Sequence, residues 1–322
     1  MPDITGSLTI NGPGANLLTV QRAFNAATQF RIFTIPGGIP QVAISGITIS
    51  NGNSLVGSED FGAGISSLSN LNLTNVHTTG NQARIGGGIA LESADGVFTG
   101  CTISGNIANA GSGGGIYFEG SGGRTLRVVN STVSGNSSAD QGGGIANIGS
   151  VGNSRLEVTN STIADNAALN GGGISTFTQN GAGNTATTTL RNTIIAGNSP
   201  NNLATSTVNG GGAAIVISNG FNLSDNYSGA VTLLASDLTA QPVLGPLAAN
   251  GGPTPTHALL FGSPALDKGN RSGALSDQRG QVRPFDIAST TPASGGDDSD
   301  IGAFEAQSAP LAPLIFANGF EN

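Results

Sequence analysis

Apolar and polar residues alternate along short runs of this chain, and the alternation has a period of two. In "TLRVVN" and "RLEVTN", Leu126 and Val128 correspond to Leu156 and Val158, and a charged residue stands between the members of each pair. The runs "GIALE" and "GIYFE" alternate in the same way after a group of glycines. Because successive side chains of a strand point to opposite faces, these runs predict β-strands, and this region shows no helical period.

The strand-like runs recur at a regular interval. Two motifs, "NSTVSGN" with its variants and "GGGI", repeat at nearly the same interval along the chain. The run "GITISN", which ends at Asn51, aligns as an earlier copy of the first motif. The copies of the first motif end at Asn81, Asn106, Asn136, Asn166 and Asn198, and the intervals between these residues are 25, 30, 30 and 32. This period predicts an all-β fold, a right-handed, single-stranded parallel β-helix with coils of about 25–32 residues stacked about 4.8 Å apart.

The glycines and asparagines of the two motifs predict the corners of each coil. Glycine accepts positive φ and close backbone approach, which suits a corner that repeats along the stack. A phosphate-binding loop is the alternative, but it needs one glycine-rich turn before a helix, whereas four copies here precede strands. Asparagine tolerates the left-handed conformation, and stacked carboxamides can hydrogen-bond from coil to coil. The predicted structural columns are these asparagines together with Gly88, Gly115, Gly144 and Gly173.

The repeat period is lost towards the end of the chain, where proline and turn residues increase. We therefore predict coils over residues 1–235, a less regular cap over residues 236–305 and a tail over residues 306–322. A solenoid has an open apolar end that must be covered, and covering it is the role we expect of residues 236–305. Near the other end, "QRAFNAATQF" predicts a short amphipathic helix inserted in an early coil.

The histidines and the charged residues of the predicted cap are interpreted as structural. His77 shares an outward column with repeated threonines and is expected at the surface, while His257 is expected to be packed rather than to act as a base. Asp277, Arg279 and Arg283 are expected to form a local charged network, because arginine and carboxylate pair well.

Composition excludes several classes of protein. The 322 residues carry a net charge of −8 and a single lysine, so the chain cannot neutralise many phosphates and is not expected to bind nucleic acid. No apolar run is long enough to span a membrane as a helix, and a lone cysteine, Cys101, excludes an internal disulfide. The opening "MPDITGSLTI" is strand-like and not a signal peptide, so an exported protein would be represented here by a trimmed sequence.

Several motifs resemble known bacterial families. The repeats resemble the polymorphic-outer-membrane-type segments of right-handed β-helix proteins, and "NGGPTPTHALLFGSPALDKGN", "DQRGQVRP" and "DIGAFE" resemble the choice-of-anchor Q domain of secreted and surface-anchored proteins. The closing "LIFANGFEN" resembles short terminal tags of secreted proteobacterial proteins. The resemblance implies export to the surface or surroundings of a bacterium, supplies no catalytic residues, and leaves the anchoring route open.

Two groups of acidic residues are candidates for chemistry. Glu92 and Glu119 occupy the same position in successive coils with Tyr117 beside them, which predicts two carboxylates about 5 Å apart on one face. Such a pair must spread apart, share a proton or bind a cation, and the alternative is that both turn freely into solvent. Asp297, Asp298 and Asp300 in "GGDDSD" could bind calcium, the one cofactor considered, or form a solvated turn.

Two functions follow from this reading. The first is a secreted or cell-surface structural or adhesive module whose partners are extracellular glycans or proteins. The alternative is a polysaccharide lyase or glycoside hydrolase, with Glu92, Glu119 and Tyr117 as the candidate catalytic residues. The outward columns are mostly Thr, Ser, Ala and Asn, which favours the module.

Overall fold

Most coils of the chain contribute one strand to each of three parallel sheets, and the sheets enclose a shared apolar core. The computed structural model describes residues 3–55, 61–181, 183–209, 212–227 and 231–311, and most of the predicted tail lies outside them. No helix occurs in these ranges. The prediction of an all-β parallel solenoid is confirmed.

The strands fall into three long sheets, one short sheet and a hairpin. Sheet 1 contains β1 (Leu8–Asn11), β4 (Val42–Ser45), β8 (Leu71–Thr74), β12 (Gly96–Thr99), β16 (Arg124–Val129), β20 (Asn153–Thr159), β23 (Thr185–Arg191), β26 (Ala213–Ser218) and β28 (Val231–Thr232). Sheet 2 contains β2 (Thr19–Gln21), β5 (Thr48–Ser50), β9 (His77–Thr79), β13 (Thr102–Ser104), β17 (Thr132–Ser134), β21 (Thr162–Ala164), β24 (Ile194–Ala196), β27 (Leu223–Ser224) and β29 (Leu238–Thr239). Sheet 3 contains β3 (Phe33–Ile35), β7 (Ile65–Ser67), β11 (Ile89–Glu92), β15 (Ile116–Glu119), β19 (Ile145–Gly149), β22 (Ile174–Thr178) and β25 (Leu203–Thr207). The short sheet contains β6 (Asn53–Ser54), β10 (Gln82–Ala83), β14 (Ile107–Ala108) and β18 (Ser137–Ser138), and the antiparallel hairpin contains β30 (Leu244–Ala248) and β31 (Thr256–Leu259).

The apolar positions of the repeat stack on one another inside the solenoid. Phe98 lies between Leu73 of the preceding coil and Val128 of the following coil, and all three side chains are buried. Burying such a side chain stabilises the fold by roughly 1.5–3 kcal/mol, so the repeated column is a main source of stability. The columns predicted from the alternation are confirmed.

The three glycines of each "GGGI" motif are needed for different reasons. Gly113, the first of its group, has φ of 75°, a conformation that side chains other than glycine rarely adopt. A Cβ atom on Gly114 would lie 2.4 Å from the carbonyl oxygen of Ser137 in the next coil. A Cβ atom on Gly115 would lie 2.6 Å from the carbonyl oxygen of Gly144 and 3.0 Å from the amide nitrogen of Asn136. The third glycine therefore leaves room for the asparagine of the next coil.

The asparagine column forms a continuous hydrogen-bonded ladder through buried space. Nδ2 of Asn106 donates to Oδ1 of Asn136 at 2.9 Å, and Nδ2 of Asn136 donates to Oδ1 of Asn166 at 2.9 Å. The backbone N–H of Asn106 also donates to Oδ1 of Asn136, at 3.0 Å, so each carbonyl oxygen accepts two bonds. The same pattern links Asn81 to Asn106 and Asn166 to Asn198. The predicted amide ladder is confirmed.

Two details of the ladder differ from the prediction. The residue with positive φ is the one before each ladder asparagine, as at Gly135 (φ 65°), and not the asparagine itself. The strand register pairs Ser50 with Thr79, so Asn51 stands at the position of Gly80 and is not an earlier rung. At the other end Asn198 donates to Asn202, whose amide donates in turn to Ser224 and Asp225. The sequence alignment missed Asn202 because it lies four residues after Asn198 rather than one coil later.

A second ladder of hydroxyl groups was not predicted. The backbone N–H of Cys101 donates to Oγ of Ser131 at 3.0 Å, and the N–H of Ser131 donates to Oγ of Ser161 at 3.2 Å. The hydroxyl groups of Ser131 and Ser161 donate to the carbonyl oxygens of Val129 and Thr159. This ladder explains why serine follows asparagine in the repeated "NST" strings.

The segment after the coils, residues 240–311, lies along the outer face of sheet 2. Oγ1 of Thr102 donates to the carbonyl oxygen of Pro255 at 2.6 Å, and Oγ1 of Thr132 donates to Oε1 of Gln278 at 2.7 Å. One coil further on, Oγ1 of Thr162 accepts from the N–H of Ala303 at 3.1 Å. The segment therefore runs beside successive coils, whereas the sequence predicts that it covers the open end. The threonine column that we had expected to be exposed is buried beneath it.

Buried ion pairs hold this side segment together. Arg279 pairs with Asp277 at 2.8 Å, as predicted, and its guanidinium group lies 3.5 Å from the centre of the Phe304 ring. Arg283 pairs instead with Glu305 at 2.8 Å, and neither side chain is exposed to solvent. Glu305 also accepts hydrogen bonds from the backbone N–H groups of Phe285 and Asp300. The sequence pointed to the arginines but missed Glu305.

The amphipathic helix predicted over "QRAFNAATQF" is wrong. Gln21 ends strand β2, and the following residues form turns up to Phe30, which bridges to Asn53. The ring of Phe24 is almost fully exposed, so it does not supply the apolar face that the helix required. Because the described residues include no helix, they also include none long and apolar enough to cross a bilayer.

Candidate functional site

The parallel pairing of β11 and β15 brings the two predicted glutamates together. In this register Glu92 lies beside Glu119, and Ala90 lies beside Tyr117. Because Leu91 and Phe118 point into the core, the residues on either side of them point outward from sheet 3. The structure thus places Glu92, Glu119 and Tyr117 in one group on the outer face, as the alternation predicted.

Three hydroxyl groups donate to the carboxylate of Glu119. The phenol of Tyr117 donates to Oε2 at 2.9 Å. The hydroxyl groups of Ser121, at 3.2 Å, and Ser150 donate to Oε1. These three donors hold the carboxylate of Glu119 in one orientation as an acceptor.

Glu92 lacks such donors in the described residues and has a different electrostatic character. Burial, and after it the charge of the neighbouring Glu119, raises the pKa of Glu92 to about 7, and the charge of Arg31 opposes both effects. Burial, with Glu119 as the next cause, also raises the pKa of Tyr117 well above its usual range. Near neutral pH the group therefore contains a carboxyl that readily takes up a proton, Glu92, and a neutral phenol, Tyr117.

The surroundings of Tyr117 come from other coils. The ring of Phe61 meets the ring of Tyr117 edge to face, with the centres 5.6 Å apart. Nε of Arg31 donates to the carbonyl oxygens of Phe61 and Gly62 at 2.8 and 2.9 Å. Sequence reasoning missed Arg31, Phe61 and the two serines, because they lie between the repeated strands, where the spacing varies from coil to coil.

This arrangement has two chemical uses. A protonated carboxyl and an ionised carboxylate on neighbouring coils can donate a proton and attack or stabilise a cationic centre, the combination that glycoside hydrolysis requires. A carboxylate pair can also bind a cation. Within the ranges that the structure describes, no three His, Cys, Asp or Glu side chains form a group that could hold a metal ion.

The three aspartates of "GGDDSD" have separate environments. The carboxylate of Asp297 accepts from the backbone N–H of Arg271 and lies 3.4 Å from its guanidinium group. Asp300 is buried and accepts from the N–H groups of Asp267 and Ala306. Asp298 has φ of 64°. Calcium binding there stays a prediction, and the contacts of Asp297 and Asp300 are with the protein's own donors.

The histidines and the cysteine lie in covered positions. His257 is buried between Oγ of Ser134, at 2.8 Å, and the carbonyl oxygen of Gly245, at 2.7 Å, which confirms that it is packed. His77 is half-buried rather than on the open surface, and burial lowers its pKa to about 4. Burial raises the pKa of the Cys101 thiol to about 12, so the thiolate that reacts is scarce at neutral pH.

Comparison with known proteins supports the architecture. Residues 14–156 match the family model described as the right handed beta helix region, and this stretch contains both glutamates of the candidate site. No curated protein matches the chain. No solved structure matches it either. The chain is thus similar to right-handed β-helices, in agreement with the parallel coils and with the handedness predicted from the sequence.

Proposed function

We propose that the chain is a structural and adhesive module, exported by a bacterium to its surface or surroundings, which presents one long face to glycans or proteins. The observation that carries this proposal is the continuous hydrogen-bonded ladder from Asn81 to Asn202, which ties the coils into one rigid unit. Contacts of the side segment with Thr102, Thr132 and Thr162 tie the same coils together from outside. The resemblance of the C-terminal motifs to the choice-of-anchor Q domain supports export.

The outer face of sheet 1 is the contact surface that we propose. The side segment covers the outer face of sheet 2, whereas sheet 1 exposes Arg127 on β16, Arg155 on β20, and Ile215 and Ile217 on β26. Arg127 pairs with Glu157 at 2.9 Å, and both side chains remain accessible to solvent. Exposed isoleucines beside charged and threonine side chains give a flat, mixed surface suited to weak contact over a long area.

Adsorption measurements test this proposal. The purified chain is incubated with insoluble polysaccharides and with immobilised extracellular proteins, and both bound protein and released product are measured. We expect adsorption without product, and at least a threefold loss of adsorption when Ile215 and Ile217 are both changed to Ser. The matched control is Leu275→Ser, which changes an exposed apolar residue of the side segment. Equal adsorption by all three proteins would contradict the proposed contact face.

The second candidate is a glycoside hydrolase or polysaccharide lyase acting at Glu92 and Glu119. The observation that favours it is the contrast between the raised pKa of Glu92, about 7, and the three hydroxyl groups that hold Glu119. Coils stacked about 4.8 Å apart place the carboxyls near the separation of about 5–5.5 Å found in retaining enzymes. In this function Glu92 donates the proton and Glu119 is the nucleophile.

Activity measurements separate the two functions. New reducing ends report hydrolysis, and ultraviolet absorbance of unsaturated products reports elimination, each with and without calcium. If the chain is a structural and adhesive module, we expect neither signal. Product formation that disappears in both Glu92→Gln and Glu119→Gln, but persists in the surface control Glu157→Gln, would establish the enzyme instead.

A further inference from the structure

A cavity of about 430 Å³ opens where the last coils meet the side segment. Phe221, Ala235 and Leu238 line it from the coils, and Lys268 and Ala293 line it from the side segment. Its volume lies in the range of about 300–1,000 Å³ that small-molecule sites occupy, and such sites often form where separate parts of a chain meet. The cavity lies outside the group formed by Glu92 and Glu119.

The walls of this cavity are mostly apolar and include a residue held in an unusual conformation. Phe221 has φ of 58°, a left-handed conformation that bulky side chains rarely adopt. Its N–H donates to Oγ of Ser236 at 3.2 Å, and the guanidinium group of Arg191 lies 5.9 Å from the ring centre. Residues held in strained conformations cluster at sites that clamp ligands. Phe221 is buried and forms part of the apolar wall.

One cation reaches the cavity. Lys268 is the only lysine of the chain, and its Nζ donates to the carbonyl oxygen of Thr291. An ammonium group has three donors, so two remain available. Across the ranges that the structure describes, no carboxylate lies within 4.0 Å of Nζ. The carboxyl of Asp267 is near enough for Lys268 to oppose the effect of burial, which raises the pKa of Asp267 to about 6. The charge of Lys268 is thus left for an anion.

We propose that this cavity binds a small molecule that carries a carboxylate on an apolar body. The carboxylate pairs with Lys268, and the apolar body packs against Phe221, Leu238 and Ala293. A chain of net charge −8 repels anions in general, so an isolated lysine over an apolar wall selects ligands that satisfy both parts of the site. This inference is independent of the proposed adhesive face and of the glutamate pair.

Calorimetric titration with three probes tests the two parts of the site. The probes are 3-phenylpropionate, its uncharged analogue 3-phenylpropanamide, and galacturonate, which carries the charge on a polar body. We expect 3-phenylpropionate to bind at least tenfold more tightly than either of the others. Undetectable binding of 3-phenylpropionate at 20 mM would overturn the proposal, and tighter binding of galacturonate would overturn the apolar part.

Variants at the lysine complete the test. Lys268→Gln is expected to weaken binding of 3-phenylpropionate at least tenfold without changing the melting temperature, and Lys268→Arg is expected to retain most of the affinity. Arg124→Gln removes an exposed cation at the start of β16 and serves as the matched control, with unchanged binding expected. Equal affinity in the parent and Lys268→Gln, or an equal loss in Arg124→Gln, would overturn the assignment of Lys268.

Discussion

Changing Glu92 to Gln should alter the free energy of unfolding in a way that depends on pH. The folded protein raises the pKa of this carboxyl from 4.5 to about 7, mainly by burial and then by the charge of Glu119. The folded state therefore binds the proton more tightly than the unfolded state. This contribution to stability is fully present below pH 4.5 and is lost as pH rises through about 7.

The magnitude follows from the pKa values. One pKa unit corresponds to about 1.4 kcal/mol, so the difference between 4.5 and about 7 sets an upper bound of about 3 kcal/mol. Glu92 is partly accessible to solvent, which screens its charge and reduces the expected value to about 1–2 kcal/mol. Glutamine has almost the same shape and carries no charge. At pH 8.5 Glu92→Gln should thus be more stable than the parent by about 1–2 kcal/mol, and at pH 4.5 the two should be nearly equal.

The free energy of unfolding of the parent and of Glu92→Gln is measured by urea unfolding at pH 4.5 and pH 8.5. The two proteins should show the same dependence of this free energy on urea concentration. Burial also raises the pKa of Asp300 to about 8 and of Glu305 to about 7, so the stability of the parent depends on pH for these reasons too. The difference between variant and parent isolates the contribution of Glu92. Glu157→Gln, which removes an exposed carboxylate paired with Arg127, should change stability little and equally at both values. A difference between Glu92→Gln and the parent that does not change with pH would refute this reasoning.

Three further changes test other parts of the molecule. Asn136→Ala leaves the buried backbone N–H of Asn106 without its acceptor and should lower the free energy of unfolding in urea by about 1–3 kcal/mol. Asn153→Ala, at an exposed position, should lower it little. Arg283→Met leaves the buried Glu305 unpaired and should cost about 3–5 kcal/mol, seen as faster proteolysis of the side segment. Calcium and chelator should give the same melting temperature if Asp297, with its neighbours in "GGDDSD", forms an ordinary turn, and a rise of several degrees with calcium would instead establish a metal site.

The coils could be predicted from the sequence because each apolar position repeats at the interval of the strands. Phe98 and Val128 occupy one column, and the pairing of Glu92 with Glu119 followed from the same register. The predicted ladder was wrong by one residue at Asn51, because the alignment matched residue types. The strand register, which places Asn51 beside Gly80, decides which residues form the ladder.

The surroundings of the candidate site could not be predicted, because they depend on turns and on a distant part of the chain. Ser150 reaches Glu119 from a turn of the next coil, and the length of such turns varies from coil to coil. The threonines of sheet 2 were expected to be exposed since threonine is polar, yet Thr132 finds a buried partner in Gln278, 146 residues further along the chain. No local pattern records a contact of that separation.

The asparagine ladder also has an electrostatic direction. In every rung one N–H of the carboxamide donates towards the C-terminal end of the solenoid, as from Asn106 to Asn136, so the side-chain hydrogen bonds of the ladder all run the same way along its axis. Aligned dipoles add, and hydrogen bonds in such a row polarise one another. The positive end of the row is the amide of Asn202, which meets the carboxylate of Asp225. The solenoid thus places an anion where its internal row of amides needs one, in the way that acidic residues favour the first turn of an α-helix.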